Sequence, residues 1–306
     1  MNKLITIIGP TASGKTSLAA ALSLHLNGEI ISGDSRQVYR GMDIGTGKDL
    51  TDYDIGGISI PYYIIDIVDA GHKYNVYEFQ QDFVKSFNTI VGKGKQPILC
   101  GGTGMYIEAA LKGYKLIHVP SNELFRQECE QKSDDELIEE LKSCKTLHND
   151  TDIDNRRRMI RALEIEKYYT EHPQVEFDYP AFEPLILGVS IDVETRRSRI
   201  DSRLKQRLQE GMVDEVKALL DRGVPAETLL YYGLEYKFLT MYILEQLSYD
   251  EMVSQLNIAI HQFAKRQMTW FRGMERRGMK IQWIDGLKPL QERVSECLNI
   301  IENYGK

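Results

Sequence analysis

Eight residues near the N-terminus constrain this chain most: Gly9-Pro10-Thr11-Ala12-Ser13-Gly14-Lys15-Thr16. The apolar run Leu4 to Ile8 leads into them, and Ser17 to Leu26 reads as a helix. Strand, glycine-bounded loop and helix, with four residues between the first glycine and Gly-Lys-Thr, make the P-loop pattern. The glycines let backbone N–H groups close around an anion. The helix N-terminus adds partial positive charge. Lys15 supplies a mobile cation, and the Thr16 hydroxyl can hold Mg²⁺. A di- or triphosphate therefore binds here, and the pattern does not say whether it is ATP.

The rest of the chain alternates in the manner of an open α/β sheet. Glu29 to Ser35 reads as a second strand ending in Asp34-Ser35, and Tyr62 to Asp66 as a third. Pro97 to Cys100 reads as a fourth strand, running into Gly101-Gly102-Thr103-Gly104. Ligands of such sheets bind beyond the carboxyl ends of the strands, which puts Asp34 near the P-loop mouth. The residue type fits a helix cap or a catalytic carboxylate equally well. Arg36 to Asp49 is too glycine-rich for a helix and reads as an ordered loop. Val76, Phe79, Phe83, Phe87 and Ile90 recur at helical spacing, as a core-facing stripe does.

Past residue 115 the character changes. Residues 121–154 hold eleven acids against four bases, on short amphipathic helices. Asn155 to Leu163 then carries four arginines and no acid, as a solvated face or a phosphate-contacting surface would. Glu171 to Pro184, with three prolines, reads as a linker. Leu185 to Ile191 returns to the sheet, and a basic helix follows with Arg196, Arg199, Arg203 and Arg207 along one face. Helices are expected over 213–222, 234–247 and 249–273, then a strand over 280–284 and a helix over 287–301. The expected organisation is a P-loop NTPase-like parallel sheet flanked by helices, split between 1–114 and 184–306. A helical insertion domain occupies 115–183.

Composition narrows the partners. The net charge of −7 gives no global field for nucleic acid, so RNA binding needs local basic patches. Four dispersed cysteines form no Cys-x-x-Cys pair, consistent with reduced thiols in the cytoplasm. No apolar run approaches the ~20 residues of a membrane span.

Taken together, these motifs resemble the tRNA dimethylallyltransferases, also called tRNA isopentenyltransferases. The resemblance rests on the P-loop, Asp34-Ser35-Arg36-Gln37-Val38-Tyr39 and Met42-Asp43-Ile44-Gly45-Thr46. It extends through Gly101-Gly102-Thr103-Gly104-Met105-Tyr106, Arg161-Ala162-Leu163-Glu164 and Lys265-Arg266-Gln267-x-Thr269-Trp270. Two positions depart from the pattern. Ala70 stands where proline is usual, and Gly-Tyr-Lys/Arg-Glu/Gln appears as Gly233-Leu234-Glu235-Tyr236. With no zinc-finger segment after residue 306, the resemblance is expected to be to the bacterial form.

The resemblance implies transfer of a dimethylallyl group from dimethylallyl diphosphate to the exocyclic amine of adenine 37, immediately 3′ of the anticodon. The tRNAs implied are those reading codons that begin with U. It makes Asp34 the general base and assigns Thr11, Lys15 and Arg203 to the diphosphate, with Arg199 as the competing arginine. Gly9 to Thr16 hold the diphosphate, with Mg²⁺ at Thr16. Asp34, Ser35, Arg36, Gln37, Thr103, Arg126, Arg157, Arg158, Met159, Ile160 and Arg161 correspond to positions that meet the anticodon stem-loop. A monomer is expected. The rival readings are an adenylate isopentenyltransferase acting on free AMP, ADP or ATP, and a P-loop small-molecule kinase.

Overall fold

The structure, a computed structural model, describes residues 2–144, 153–173 and 178–304. Two compact units divide the chain: Met1–Tyr114 with Tyr179–Lys306, and Lys115–Asp178.

In the first unit the elements run β1 (Asn2–Ile8), α1 (Lys15–Leu26), β2 (Gly28–Ser32) and β3 (Tyr39–Arg40). Three short strands follow: β4 (Asp54–Ile55), β5 (Ile58–Ser59) and β6 (Tyr62–Tyr63). Next come β7 (Val68–Asp69), α2 (Val76–Gly92), β8 (Gln96–Gly101) and α3 (Gly104–Lys112). The second unit holds α4 (Glu123–Glu130), α5 (Asp134–Cys144) and α6 (Arg156–Glu171). The chain then returns through β9 (Phe182–Ser190), α7 (Val193–Gln209), α8 (Met212–Asp221), α9 (Ala226–Tyr232) and α10 (Leu234–Ile243). It ends with α11 (Tyr249–Arg276), β10 (Ile281–Asp285) and α12 (Leu290–Asn303).

The main sheet has the order β10-β9-β1-β8-β2-β6, and every pairing is parallel. Its strands are apolar on both faces, as a sheet covered on both sides requires. Alternation sorts the side chains. Leu4, Ile8, Ile31, Leu99 and Ile186 join one core with α2, α3, α7 and α11. Ile5, Ile7, Ile30, Ile98 and Leu187 join the other with α1 and α12. The result is a helix–sheet–helix sandwich, with the turns after β1, β2, β8 and β9 side by side at one edge.

Three expectations change. The third strand stops at Tyr63, because Ile64 and Asp66 take left-handed φ of 62° and 55°. The chain turns there to bond the loop after β2, through Asp66 N to Gln37 O (3.1 Å) and Ile67 N to Val38 O (2.8 Å). The expected linker over 171–184 is shorter. Helix α6 runs to Glu171, Tyr179 donates to Ala110 O at 2.6 Å, and β9 already pairs with β1 from Phe182. Residues 174–177 of that linker lie outside the described residues. Finally, α9 was not expected at all; its seven residues lie between Pro225 and Gly233.

The second unit has its own small core of Phe125, Cys129, Leu137, Leu141, Met159, Ile160, Ala162 and Leu163. All four cysteines of the chain are free.

Candidate active site

The P-loop turns sharply after β1, with Ala12 at φ 61° and Gly14 at φ 78°. These left-handed residues swing the backbone so that α1 begins at Lys15, its first-turn N–H groups without helical acceptors. A side chain on Gly9 would meet Ser13 Oγ at 2.6 Å, so glycine is needed there for the close turn. Burial pushes the Lys15 ammonium below its usual value, while the Asp34 and Asp49 carboxylates pull it back up. An anion at this spot relieves that penalty.

Asp34 follows the end of β2, but no helix follows it, which removes the helix-cap reading. Its Oδ1 instead accepts from Arg36 N at 2.9 Å, a tight Asx turn that holds the carboxylate in place. Thr103, after β8, braces the same turn by accepting from Ser35 N at 3.1 Å. Gln37 donates to Gly47 O at 3.2 Å, tying the turn to the 42–47 loop. Glu215 of α8 shapes that loop, accepting from the N–H groups of Asp43, Ile44 and Gly45 at 2.7, 2.7 and 3.1 Å. Beneath it lies the buried Lys48, which donates to Tyr39 O, Asp43 Oδ1 and Asp66 Oδ1. The Met42-to-Thr46 marker is thus a wall held from two sides.

These elements enclose a cavity of about 360 Å³ within the first unit. Thr11, Lys15, Thr16, Asp34, Ser35, Arg36, Gln37, Thr103 and Arg203 all line it. Arg203 lies on the cavity and Arg199 does not. The lining also includes Cys100, whose thiol burial pushes up to about 12. At neutral pH it is a neutral thiol and no nucleophile.

Several lining residues were given no role from the sequence, among them Gln267, Arg207 and Glu235. Gln267 of α11 accepts from Thr11 N at 2.8 Å and donates to Gly102 O at 3.0 Å, bridging the P-loop to the turn after β8. One P-loop amide is therefore already committed to this side chain. Arg207 sits one turn beyond Arg203 on α7, and Glu235 begins α10. Burial raises the Glu235 carboxyl, opposed by the Arg207 charge among others. Gln267 lay inside a motif that carried the resemblance, and Arg207 lay on the noted basic face. For Glu235 the signal was the departure from the Lys/Arg pattern.

The candidate residues of the second unit divide differently. Arg156 caps the end of α4, donating to Cys129 O (3.0 Å) and Lys132 O (2.6 Å) and pairing with Glu130 and Asp134. Arg126 and Arg161 both pair with the buried Glu164. Two arginines of the run, Arg156 and Arg161, thus find acidic partners outside it. Met159 and Ile160 are 1% and 4% exposed, so their side chains pack the unit's core and do not face a solvated partner. Arg157 and Arg158 are exposed.

The family described as IPP transferase matches residues 37–274, more than half of the chain. A tRNA dimethylallyltransferase 2 of Phocaeicola vulgatus is 59% identical over 299 residues, covering 97% of both chains. A tRNA dimethylallyltransferase 1 of Parabacteroides distasonis is 59% identical over 302 residues, covering 98% of both. The chain belongs to the tRNA dimethylallyltransferase family. The crystal structure of the full-length tRNA isopentenylpyrophosphate transferase of Bacillus halodurans superposes with a TM-score of 0.71 at 31% identity. That match covers 99% of this chain and 96% of that one. Within this family the cavity at the strand ends is the place to seek the chemistry.

Proposed function

We propose that this enzyme, a transferase of the tRNA dimethylallyltransferase family, moves a dimethylallyl group from dimethylallyl diphosphate to the exocyclic amine of adenine 37 in tRNAs reading codons that begin with U. The observation that carries the reading is the convergence of Lys15, Thr16, Arg203 and Asp34 on one cavity. Three of these suit a leaving diphosphate, and the fourth suits an amine that must lose a proton.

In the reaction the bond between the donor's first carbon and its diphosphate oxygen breaks as the adenine nitrogen bonds that carbon. Negative charge gathers on the diphosphate, where Lys15, Arg203, Thr11 and the first-turn N–H groups of α1 meet it. The amine proton passes to the Asp34 carboxylate, which the Arg36 N–H holds in position. The base reaches the cavity by leaving its stack in the anticodon loop. Asp34 to Gln37, Thr103 and the exposed Arg157 and Arg158 are the contacts we assign to the stem-loop. The hard hydroxyl oxygen of Thr16 on this cavity suits Mg²⁺, which takes few protein ligands and completes its shell with water and phosphate oxygens. Bound at Thr16, Mg²⁺ supplies further neutralisation of the diphosphate. Four free thiols suit the reduced cytoplasm, where we place the enzyme as a monomer.

Relatives matching over nearly the whole chain, helical unit included, favour tRNA over a free adenylate acceptor. The test mixes enzyme, Mg²⁺ and labelled dimethylallyl diphosphate with an anticodon stem-loop or with AMP. Label on the stem-loop alone is expected. Label on AMP would instead make the enzyme an adenylate prenyltransferase. Label on neither, with ATP turnover, would make it a kinase.

A further inference from the structure

Arg203 and Arg207 lie four residues apart on α7, one above the other on its cavity-facing side. Arg203 is satisfied by the Asp49 carboxylate, to which its Nη2 donates. Arg207 is different. Its side chain is only 12% exposed, and its Nη2 stands 3.7 Å from Asp49 Oδ1, beyond hydrogen-bond reach. That nitrogen is buried and has no hydrogen-bond partner among the described residues. A buried charged donor without a hydrogen-bond acceptor is costly, and proteins rarely keep one without a use.

The surrounding loop is shaped to keep it. Gly47 takes φ 66°, and a side chain there would meet Arg207 Nη2 at 1.9 Å and Arg203 Nη2 at 2.9 Å. The backbone thus packs directly on both guanidiniums. Asp49, two residues on, presents its two carboxylate oxygens to the pair. A carboxylate held between two guanidiniums marks a position where oxyanions are favoured.

We propose that Arg207 is a second diphosphate-binding arginine, forming with Arg203 a two-guanidinium fork for which the Asp49 carboxylate competes with the donor. A second guanidinium adds hydrogen-bond donors and positive charge for the diphosphate oxygens beside Lys15 and Arg203, and Asp49 tunes how tightly the fork holds the diphosphate before and after transfer. The proposal rests on the cavity being the diphosphate site.

Inorganic pyrophosphate is the probe, with binding measured by titration calorimetry and folding by thermal melt. Arg207→Met is expected to bind pyrophosphate about 10- to 100-fold more weakly, the worth of one charge-assisted hydrogen-bonded contact. Asp49→Asn is expected to bind it several-fold more tightly. Arg207→Lys, which keeps the charge without the fork, should fall between wild type and Arg207→Met. A folded Arg207→Met that binds pyrophosphate as wild type does would overturn the proposal. So would an Asp49→Asn enzyme with no gain, and that variant decides the matter if Arg207→Met fails to fold. A wild-type enzyme that does not bind pyrophosphate at all would instead sink the diphosphate reading itself.

Discussion

Lys15 shows how one residue serves function against stability. Burial lowers its pKa from 10.5, so between the lowered value and 10.5 the folded protein binds fewer protons than the unfolded chain. Stability conferred by the fold therefore rises with pH across that window, and at neutral pH the buried ammonium is a burden. An anionic ligand converts the burden into affinity. Lys15→Met should lose on the order of 10²–10³ in transfer rate. Its thermal midpoint near pH 7.5, without substrate, should equal or exceed that of wild type. A lower midpoint would contradict the burial penalty. Asp34, in contrast, is held by a backbone turn whose residues were readable in the sequence, although the bond from Arg36 N was not.

At the scale of elements, two helices reach across the chain through single side chains. Helix α11 holds the P-loop through Gln267, whose two hydrogen bonds go to Thr11 N and Gly102 O. Gln267→Leu leaves both groups without that partner, at about 1–3 kcal/mol for each group left buried. A urea melt should show the loss, and the KM for the donor should rise; an unchanged melt and KM would remove the bridge from the account. Helix α6 anchors its unit through Glu164. Burial alone would raise this carboxyl, but Arg126, Asn122 N and Arg161 outweigh it and hold the pKa below 4.5. Its contribution is therefore present above about pH 4.5 and is lost as pH falls through the lower folded value. Glu164→Gln should destabilise the helical unit by on the order of 2–4 kcal/mol at pH 7 and by less at an acidic pH well below 4.5. Hydrogen exchange over residues 123–171 reads it, and equal loss at both pH values would refute the linkage.

The same elements show what the sequence carried. β1, β8, β9 and the α2 stripe were legible because a buried strand or helix face repeats its apolar residues locally. α9 was not, since seven residues are too few to display a period. The shortened third strand depends on backbone bonds to a segment more than 25 residues earlier, Asp66 to Gln37 and Ile67 to Val38. Within the arginine run, the partners of Arg156 were hidden for a related reason. Arg156 finds Glu130 and Asp134, which precede it by 26 and 22 residues. At the site, motif residues were readable by type and spacing, whereas Gln267 and Arg207 acquired roles only when α7 and α11 met the P-loop.

For the whole molecule the question is how a protein of net charge −7 holds RNA. On the proposed reading the answer is local: Arg36 and Arg266 on the cavity, and Arg157 and Arg158 exposed on the helical unit. Bound phosphates release counterions, so the affinity for a stem-loop should fall steeply with salt. Arg157→Ala with Arg158→Ala should flatten that slope by about one unit of log Kd against log salt, or somewhat more. Filter binding between low and moderate salt measures it, and a slope the double variant leaves unchanged would take these arginines out of the RNA contact.

The central claim is that a carboxylate at the end of β2 takes the proton from adenine while the P-loop takes the diphosphate. Single-turnover transfer by Asp34→Ala, with its stem-loop Kd measured alongside, tests this most directly. The expected result is transfer slower by about 10²–10⁴ with Kd close to wild type. Transfer near the wild-type rate would contradict it and leave the proton without its acceptor.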